Sequence, residues 1–236
     1  MTKTIKRAIA LALCSLLTMA GFAQKPSDTP ASQMEKLDRG LVVIKYTTGR
    51  TTTRYCASWR MLGTDDKNTS FELLKNGEVL KSGIYNATCV SDITAVETDK
   101  FQVVTYQNGQ KVETSAEVTP WSKYYLEVKL DKPADGKTKP YTTTIDKETV
   151  SYPDGQDYNY SPNDVSVGDV DGDGQYEIFV KWDPSNSKDN SQNGVTGIVY
   201  IDCYKLDGTK LWRIDLGANI RAGAHYTQFM VYDFDG

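Results

Sequence analysis

Histidine is almost missing from these 236 residues: His225 is the only one, beside four cysteines and four tryptophans. One histidine excludes a multi-histidine metal centre, and Cys14, Cys56, Cys89 and Cys203 lie too far apart in sequence for the usual zinc frameworks. No cysteine has the setting of a nucleophile. A cationic surplus is also missing. Lys and Arg number 27 against 31 Asp and Glu, a net charge of −4, so nucleic acid is not an expected partner. Past Ala20 no apolar run could span a bilayer, and no long helical period appears. What the chain does have is 15 tyrosines, many threonines and a charged content of 25%, the composition of a globular protein rich in β structure.

The N-terminus reads as an export signal. Lys3, Lys6 and Arg7 precede an apolar stretch from Ala8 to Ala20, and Gly21-Phe22-Ala23 precedes Gln24. Cleavage after Ala23 (1–23 as signal peptide) is expected, giving a secreted or periplasmic protein. Leu13 before Cys14 argues against a lipoprotein. Losing three basic residues leaves 24 against 31 acidic ones, net −7. Cys56 and Cys89 could pair in an oxidising compartment, although buried, apolar roles for them are the favoured reading.

The chain is organised around Gly168 to Trp182, GDVDGDGQYEIFVKW. Asp169, Asp171 and Asp173 alternate with Val170 and Gly172, and Gly174 lets the loop curl. Calcium (Ca2+) takes six to eight oxygen ligands in a flexible shell. Asp169, Asp171 and Asp173 would supply carboxylates, Gln175 a backbone carbonyl, and Glu177 a further carboxylate. Three carboxylates in five residues would repel one another without a cation. An EF-hand is excluded, because its twelfth position, a bidentate Glu there, is Val180 here and a β run follows. The bland alternative is a metal-free Asp-Gly turn. The phrase begins again in FMVYDFDG, Phe229 to Gly236, where Asp233 and Asp235 would be ligands of a second loop 64 residues on, from 169 to 233. A recurring loop implies repeated units, and the chain is expected to be a piece of a longer protein.

Taken in order, Gln24–Gln33 is a polar linker, and 34–121 reads as about seven short strands, a β-sandwich of immunoglobulin or fibronectin type III kind. Asn76-Gly77 and Asn108-Gly109 mark two of its hairpins. Trp59 or Tyr85 could bind carbohydrate, but a tryptophan in such a sandwich is expected in the core. From 122 to 236 the pattern changes. YYLEVKL (124–130) reads as a strand, 133–157 as either an excursion or a hairpin, and from Tyr158 four strands follow with a turn at Asp207-Gly208, the makings of a propeller blade. The fold class is therefore all-β, a sandwich followed by the start of a calcium-binding β-propeller.

MEKLDRGLVVIK, SWRMLGTD, SPNDVSVGDVDGDGQYEIFVKWDPSNSKDNSQNGVTG, YKLDGTKLWRIDLG and NIRAGAHYTQFMVYDFDG resemble the N-terminal part of the bacterial rhamnogalacturonan lyases of polysaccharide lyase family eleven. The resemblance runs from about Met34 to Gly236. It implies an eight-bladed propeller with several calcium ions in the whole protein, of which this chain holds the start. The implied substrate is the rhamnogalacturonan I backbone of pectin, and the implied reaction is β-elimination at a galacturonate. A base takes the C5 proton, the O4-linked rhamnose leaves, and cationic charge neutralises the adjacent carboxylate. Two substrate-contacting positions of the family match Asn163 and Asp183; a turn role is the alternative for each. No catalytic residue is assigned: the base is expected beyond Gly236, so the chain alone is expected to be inactive. Catalytic, metal-binding and structural roles all stand open for His225, and Arg221 could meet a uronate or bridge two blades.

A competing class is a non-catalytic calcium-binding propeller used for adhesion or glycan binding. The acidic loop does not discriminate between the two; the phrases around WDPSNSKDN and IRAGAH favour the lyase. A monomer is expected, with no membrane span.

Overall fold

The computed structural model describes residues 36–223, 225–232 and 234. The expected signal peptide 1–23, the linker 24–33 and the half-loop residues Asp233 and Asp235 lie outside the described residues. Among the described residues there are fifteen strands and no helix, and so no helix long and apolar enough to cross a membrane.

Seven strands build the sandwich. β1 (Val42–Thr48), β2 (Thr52–Ser58), β3 (Ser70–Lys75), β4 (Glu78–Tyr85), β5 (Cys89–Ile93), β6 (Phe101–Gln107) and β7 (Gln110–Thr114) form two antiparallel sheets, ordered β1-β2-β5 and β4-β3-β6-β7. Alternation drives the packing. Val43, Tyr55, Ala57, Val90 and Ile93 from one sheet meet Phe71, Leu73, Ile84, Phe101 and Val103 from the other in one buried cluster, as period-two side chains on facing sheets must. Both Asn-Gly turns hold positive φ at both residues (53° and 84°, 51° and 78°), the conformation that matches strand twist in two-residue hairpins. Trp59 is 5% exposed and lies edge-on to Phe71 at 5.4 Å, in the core as expected. The cysteines correct the reading of apolar, buried roles: Cys56 is half-buried, Cys89 is exposed, and both are free thiols, while Cys203 is buried. Cys89 alternates with the inward Val90 on β5, so the strand period turns it to solvent.

The 124–130 segment is not a strand. Tyr124, Tyr125 and Leu126 are all exposed, although Leu126, Val128 and Leu130 alternate with Glu127 and Lys129 as strand residues would. Its end is tied by side chains instead: the Asp131 N–H donates to the Tyr204 hydroxyl at 3.0 Å, and Arg213 Nη2 donates to the Asp131 carbonyl at 2.7 Å. Between 133 and 157 the chain forms a hairpin. β8 (Gly136–Lys137) pairs with β11 (Asp157–Tyr158), and β9 (Tyr141–Ile145) pairs with β10 (Glu148–Tyr152). Tyr141 and Tyr152, the β9–β10 pair farthest from the turn, stack at 4.8 Å.

The last sheet is an antiparallel meander of β12 (Tyr160–Gly168), β13 (Glu177–Pro184), β14 (Tyr200–Tyr204) and β15 (Lys210–Asp215), in that spatial order. On β13 the even positions Ile178, Val180 and Trp182 join Tyr158, Tyr160, Tyr200 and Tyr204 in a second apolar cluster. The odd positions carry Glu177, Phe179, Lys181 and Asp183. Phe179 and Trp212 meet at 5.5 Å on either side of Cys203, the residue paired with both; the small side chain between them leaves the rings room.

Candidate functional site

Two ends of the β12–β13 hairpin carry its chemistry. At the closed end lies the acidic loop, 168–177. Its shape follows from its own side chains: Asp169 Oδ1 accepts the Gly172 N–H at 2.8 Å and Oδ2 the Gly174 N–H at 2.9 Å, while Asp173 Oδ1 accepts the Gln175 N–H at 2.8 Å. Glu177, the first residue of β13 and only 2% exposed, reaches back to the Val170 N–H at 2.9 Å. These bonds turn the carboxylates inward, and oxygens of Asp169, Asp171 and Glu177 lie within 4.8 Å of one another. Three hard oxygen donors at that spacing fit a calcium-type cation.

Asp173 is not in that trio. Its Oδ2 meets Lys205 Nζ at 3.0 Å, and the same ammonium lies 2.5 Å from Asp171 Oδ2. The Gln175 N–H, and then Lys205, hold the Asp173 carboxyl below its ordinary range, and the two aspartates in turn raise the Lys205 pKa. Crowded carboxylates therefore have a second source of positive charge in Lys205. Lys205 begins the Asp207-Gly208 turn, and its relation to the loop depends on the β13–β14 pairing, which no local motif announces. The Gln175 side chain is exposed.

At the open end, β12 carries a register shift between Pro162 and Val165. Asn163 sits in that shift, exposed, its Oδ1 accepting the Asp164 N–H at 2.8 Å; this leaves the amide Nδ2 to donate outward. Asp183 is half-buried on β13, opposite Ser161. Asn163 and Asp183 thus both lie toward the open end of one hairpin, on its two strands. On the same strand as Asp183, Lys181, 3% exposed, donates to Asp164 Oδ2 at 2.5 Å. Lys181 escaped the sequence reading, though Glu177, Lys181 and Asp183 share a strand face by period two. An open groove of about 540 Å³ adjoins this end, lined by Asp135, Lys137, Asp157, Tyr158, Asn159 and Ser185 among others.

The segment that follows β15 holds the other candidates, and it meets the loop leaving β13. Arg221 Nη1 donates to the Gly194 carbonyl at 2.8 Å, and Nη2 donates to that of Gln192. Both terminal nitrogens thus shape the loop, while the buried Nε has no hydrogen-bond partner. His225 is 70% exposed, with Nδ1 2.6 Å from Asp189 Oδ1. The His225 ring, followed by the Asn190 N–H, keeps the Asp189 carboxyl below its ordinary value. An ionised carboxylate can only accept, so Nδ1 is the donor to Asp189, and Nε2 is the ring nitrogen left for another partner.

Comparison with known proteins agrees along the whole chain. Residues 32–121 match the family described as rhamnogalacturonan I lyases, beta-sheet domain, and residues 125–236 match rhamnogalacturonan lyase family 11, C-terminal domain. The chain is 46% identical over 238 residues to rhamnogalacturonan endolyase YesW of Bacillus subtilis (strain 168), covering 100% of this chain and 35% of that protein. It is 48% identical over 205 residues to rhamnogalacturonan exolyase YesX of the same organism, covering 86% and 30%. The solved Bacillus licheniformis rhamnogalacturonan lyase PL11 superposes with a TM-score of 0.71 at 52% identity, covering 86% of this chain and 32% of that one. The chain thus spans about a third of the length of the curated relatives it matches. With two adjoining domains of one lyase family in chain order and near one half identity over most of its length, the chain belongs to rhamnogalacturonan lyase family 11.

Proposed function

We propose that this chain serves a secreted, calcium-requiring rhamnogalacturonan lyase that cleaves the rhamnogalacturonan I backbone of pectin by β-elimination at galacturonate. The observation that carries the reading is the near-equal identity to an endolyase and an exolyase, 46% and 48%, which supports the shared chemistry and leaves the cleavage mode open.

The β12–β15 meander has the strand order of a propeller blade, and Val165, 58% exposed on its edge strand, supports a neighbouring sheet of the same kind. Asp169, Asp171 and Glu177 would hold the cation. When bound, that ion supplies the charge that balances the loop and braces the hairpin. Asn163 Nδ2 would donate to a sugar hydroxyl and Asp183 would accept from one, so the open end binds and orients the chain of sugars. No base is assigned.

The test is the ultraviolet absorbance of the unsaturated uronate product when the complete protein meets rhamnogalacturonan I, with and without chelator. The expected outcome is a steady rise that chelation abolishes and added calcium restores. Polymer binding with no rise would overturn the lyase reading in favour of a non-catalytic glycan-binding propeller.

A further inference from the structure

We propose that Arg60 and Asp38, which belong to the sandwich, are positioning residues for the cation loop, so that cation binding at Asp169, Asp171 and Glu177 and docking of the sandwich are coupled. The inference rests on reading that trio as a cation site.

The contact centres on Gly174. Its carbonyl accepts the Asp38 N–H at 2.8 Å and Arg60 Nη1 at 3.3 Å. Its N–H donates to Asp169 Oδ2 at 2.9 Å. One residue therefore joins a candidate ligand to the sandwich. Its neighbour but one is gripped as well: the Arg60 guanidinium carbon lies 4.4 Å from the centre of the Tyr176 ring, and Tyr176 directly precedes the buried Glu177. Two of the three carboxylates thus hang from backbone that the sandwich holds.

Arg60 is itself built in. Its N–H donates to the Arg39 carbonyl at 2.8 Å, and Nη1 reaches the Asp38 carbonyl at 3.3 Å and carboxylate at 3.1 Å. Asp38 Oδ1 also accepts the Gly40 N–H at 2.7 Å. The close approach requires glycine at 174: φ is +89°, and a Cβ there would stand 3.1 Å from Asp38 N and 3.3 Å from Lys36 O. In the acidic motif alone, that glycine reads only as a turn residue.

A part-exposed Arg–Asp pair is worth little by itself. The coupling comes from geometry. A loop held at Gly174 and Tyr176 presents its oxygens already turned inward, so less ordering is lost when a cation binds. By reciprocity, a cation that holds the loop must tighten the loop's hold on the sandwich by the same factor.

The experiment titrates calcium calorimetrically into the full 236-residue chain, comparing the unaltered protein with Arg60→Ala and Arg60→Lys. Arg60→Ala should weaken calcium binding by about tenfold, within the range typical of coupled sites. Arg60→Lys should fall between, keeping the charge but losing the planar stack on Tyr176. Hydrogen exchange on the unaltered chain gives an arm independent of variant folding: calcium should slow exchange at the amides of Asp38 and Arg60 as well as within 168–177. Protection confined to the loop, or unchanged affinity in Arg60→Ala, would overturn the coupling while leaving the cation site standing. Absence of calcium binding in the unaltered chain would overturn the cation reading itself, and the coupling with it.

Discussion

Asp202 shows what a single residue decides here. It is fully buried on β14, and it accepts Trp182 Nε1 at 2.8 Å, the Tyr204 hydroxyl at 2.7 Å, and Arg213 Nε and Nη2 at 2.6 and 2.7 Å. Burial pushes its pKa up, but Arg213, Tyr204 and Trp182 together outweigh it and leave the carboxyl below its ordinary range. Asp65 behaves alike: burial raises it, and Arg39 at 2.6 Å with the Leu62 N–H brings it down. Replacing Asp202 with Ala strands three donors, one of them charged, and should cost about 3–5 kcal/mol in denaturant unfolding. The pH dependence follows the same sign. A carboxyl depressed in the folded state stabilises above its unfolded value of about 3.9, and that stability is lost as pH falls through the lower folded value. The urea midpoint should therefore stay level from neutrality to about pH 5 and fall steeply below about pH 4, with a shallower fall in Asp202→Asn. Asp202 was not singled out from sequence, because YIDCY shows an aspartate in a strand and nothing of the three donors that converge on it.

At the scale of elements, the β14–β15 hairpin acts on the loop between β12 and β13. Lys205 shares Asp171 with the candidate cation site, so ammonium and cation compete for one carboxylate. Lys205→Met should tighten calcium binding by about tenfold, the scale of one neighbouring charge, as read by calorimetry; unchanged or weaker binding would refute that competition. The hairpins themselves were legible from local chemistry. Asn76-Gly77, Asn108-Gly109 and Asp207-Gly208 all turn where their dipeptides indicate, because backbone with positive φ needs little beyond those residues. The 124–130 segment was misread for the opposite reason. Its propensity is that of a strand, but propensity forms a ladder only where an edge is free to receive it, and here Asp131 is taken by Tyr204 and Arg213 instead.

At the scale of the whole molecule, the described residues form two apolar clusters with no buried residue in common, one in the sandwich and one on the last sheet. Phe71 is fully buried in the first and touches Trp59. Phe71→Ala should cost about 3–5 kcal/mol in that cluster, read by Trp59 fluorescence, while the transition reported by Trp182 moves less. Equal shifts at both tryptophans would mean a single cooperative unit. The all-β class and the seven strands of the sandwich were readable because period-two alternation and turn dipeptides recur along it, and the family was readable because long specific phrases run through 161–197 and 219–236.

Sequence alone determined the elements and the chemistry within a few residues: the strands, the Asn-Gly turns, and an acidic loop whose aspartates bind their own backbone N–H groups. These depend on contacts between near neighbours, which the order of residues sets directly. Tertiary structure decided which charges meet. It brought Lys205 to Asp171 and Asp173, seated Lys181 against Asp164, drew the two terminal nitrogens of Arg221 onto backbone carbonyls, and placed Asp38 and Arg60 against Gly174. The last of these joins residues more than a hundred positions apart, and Coulombic and hydrogen-bond energies depend on distance in space, which no spacing along the chain encodes. The acidic loop was visible in the sequence as a motif; its grip on the sandwich exists only in the fold.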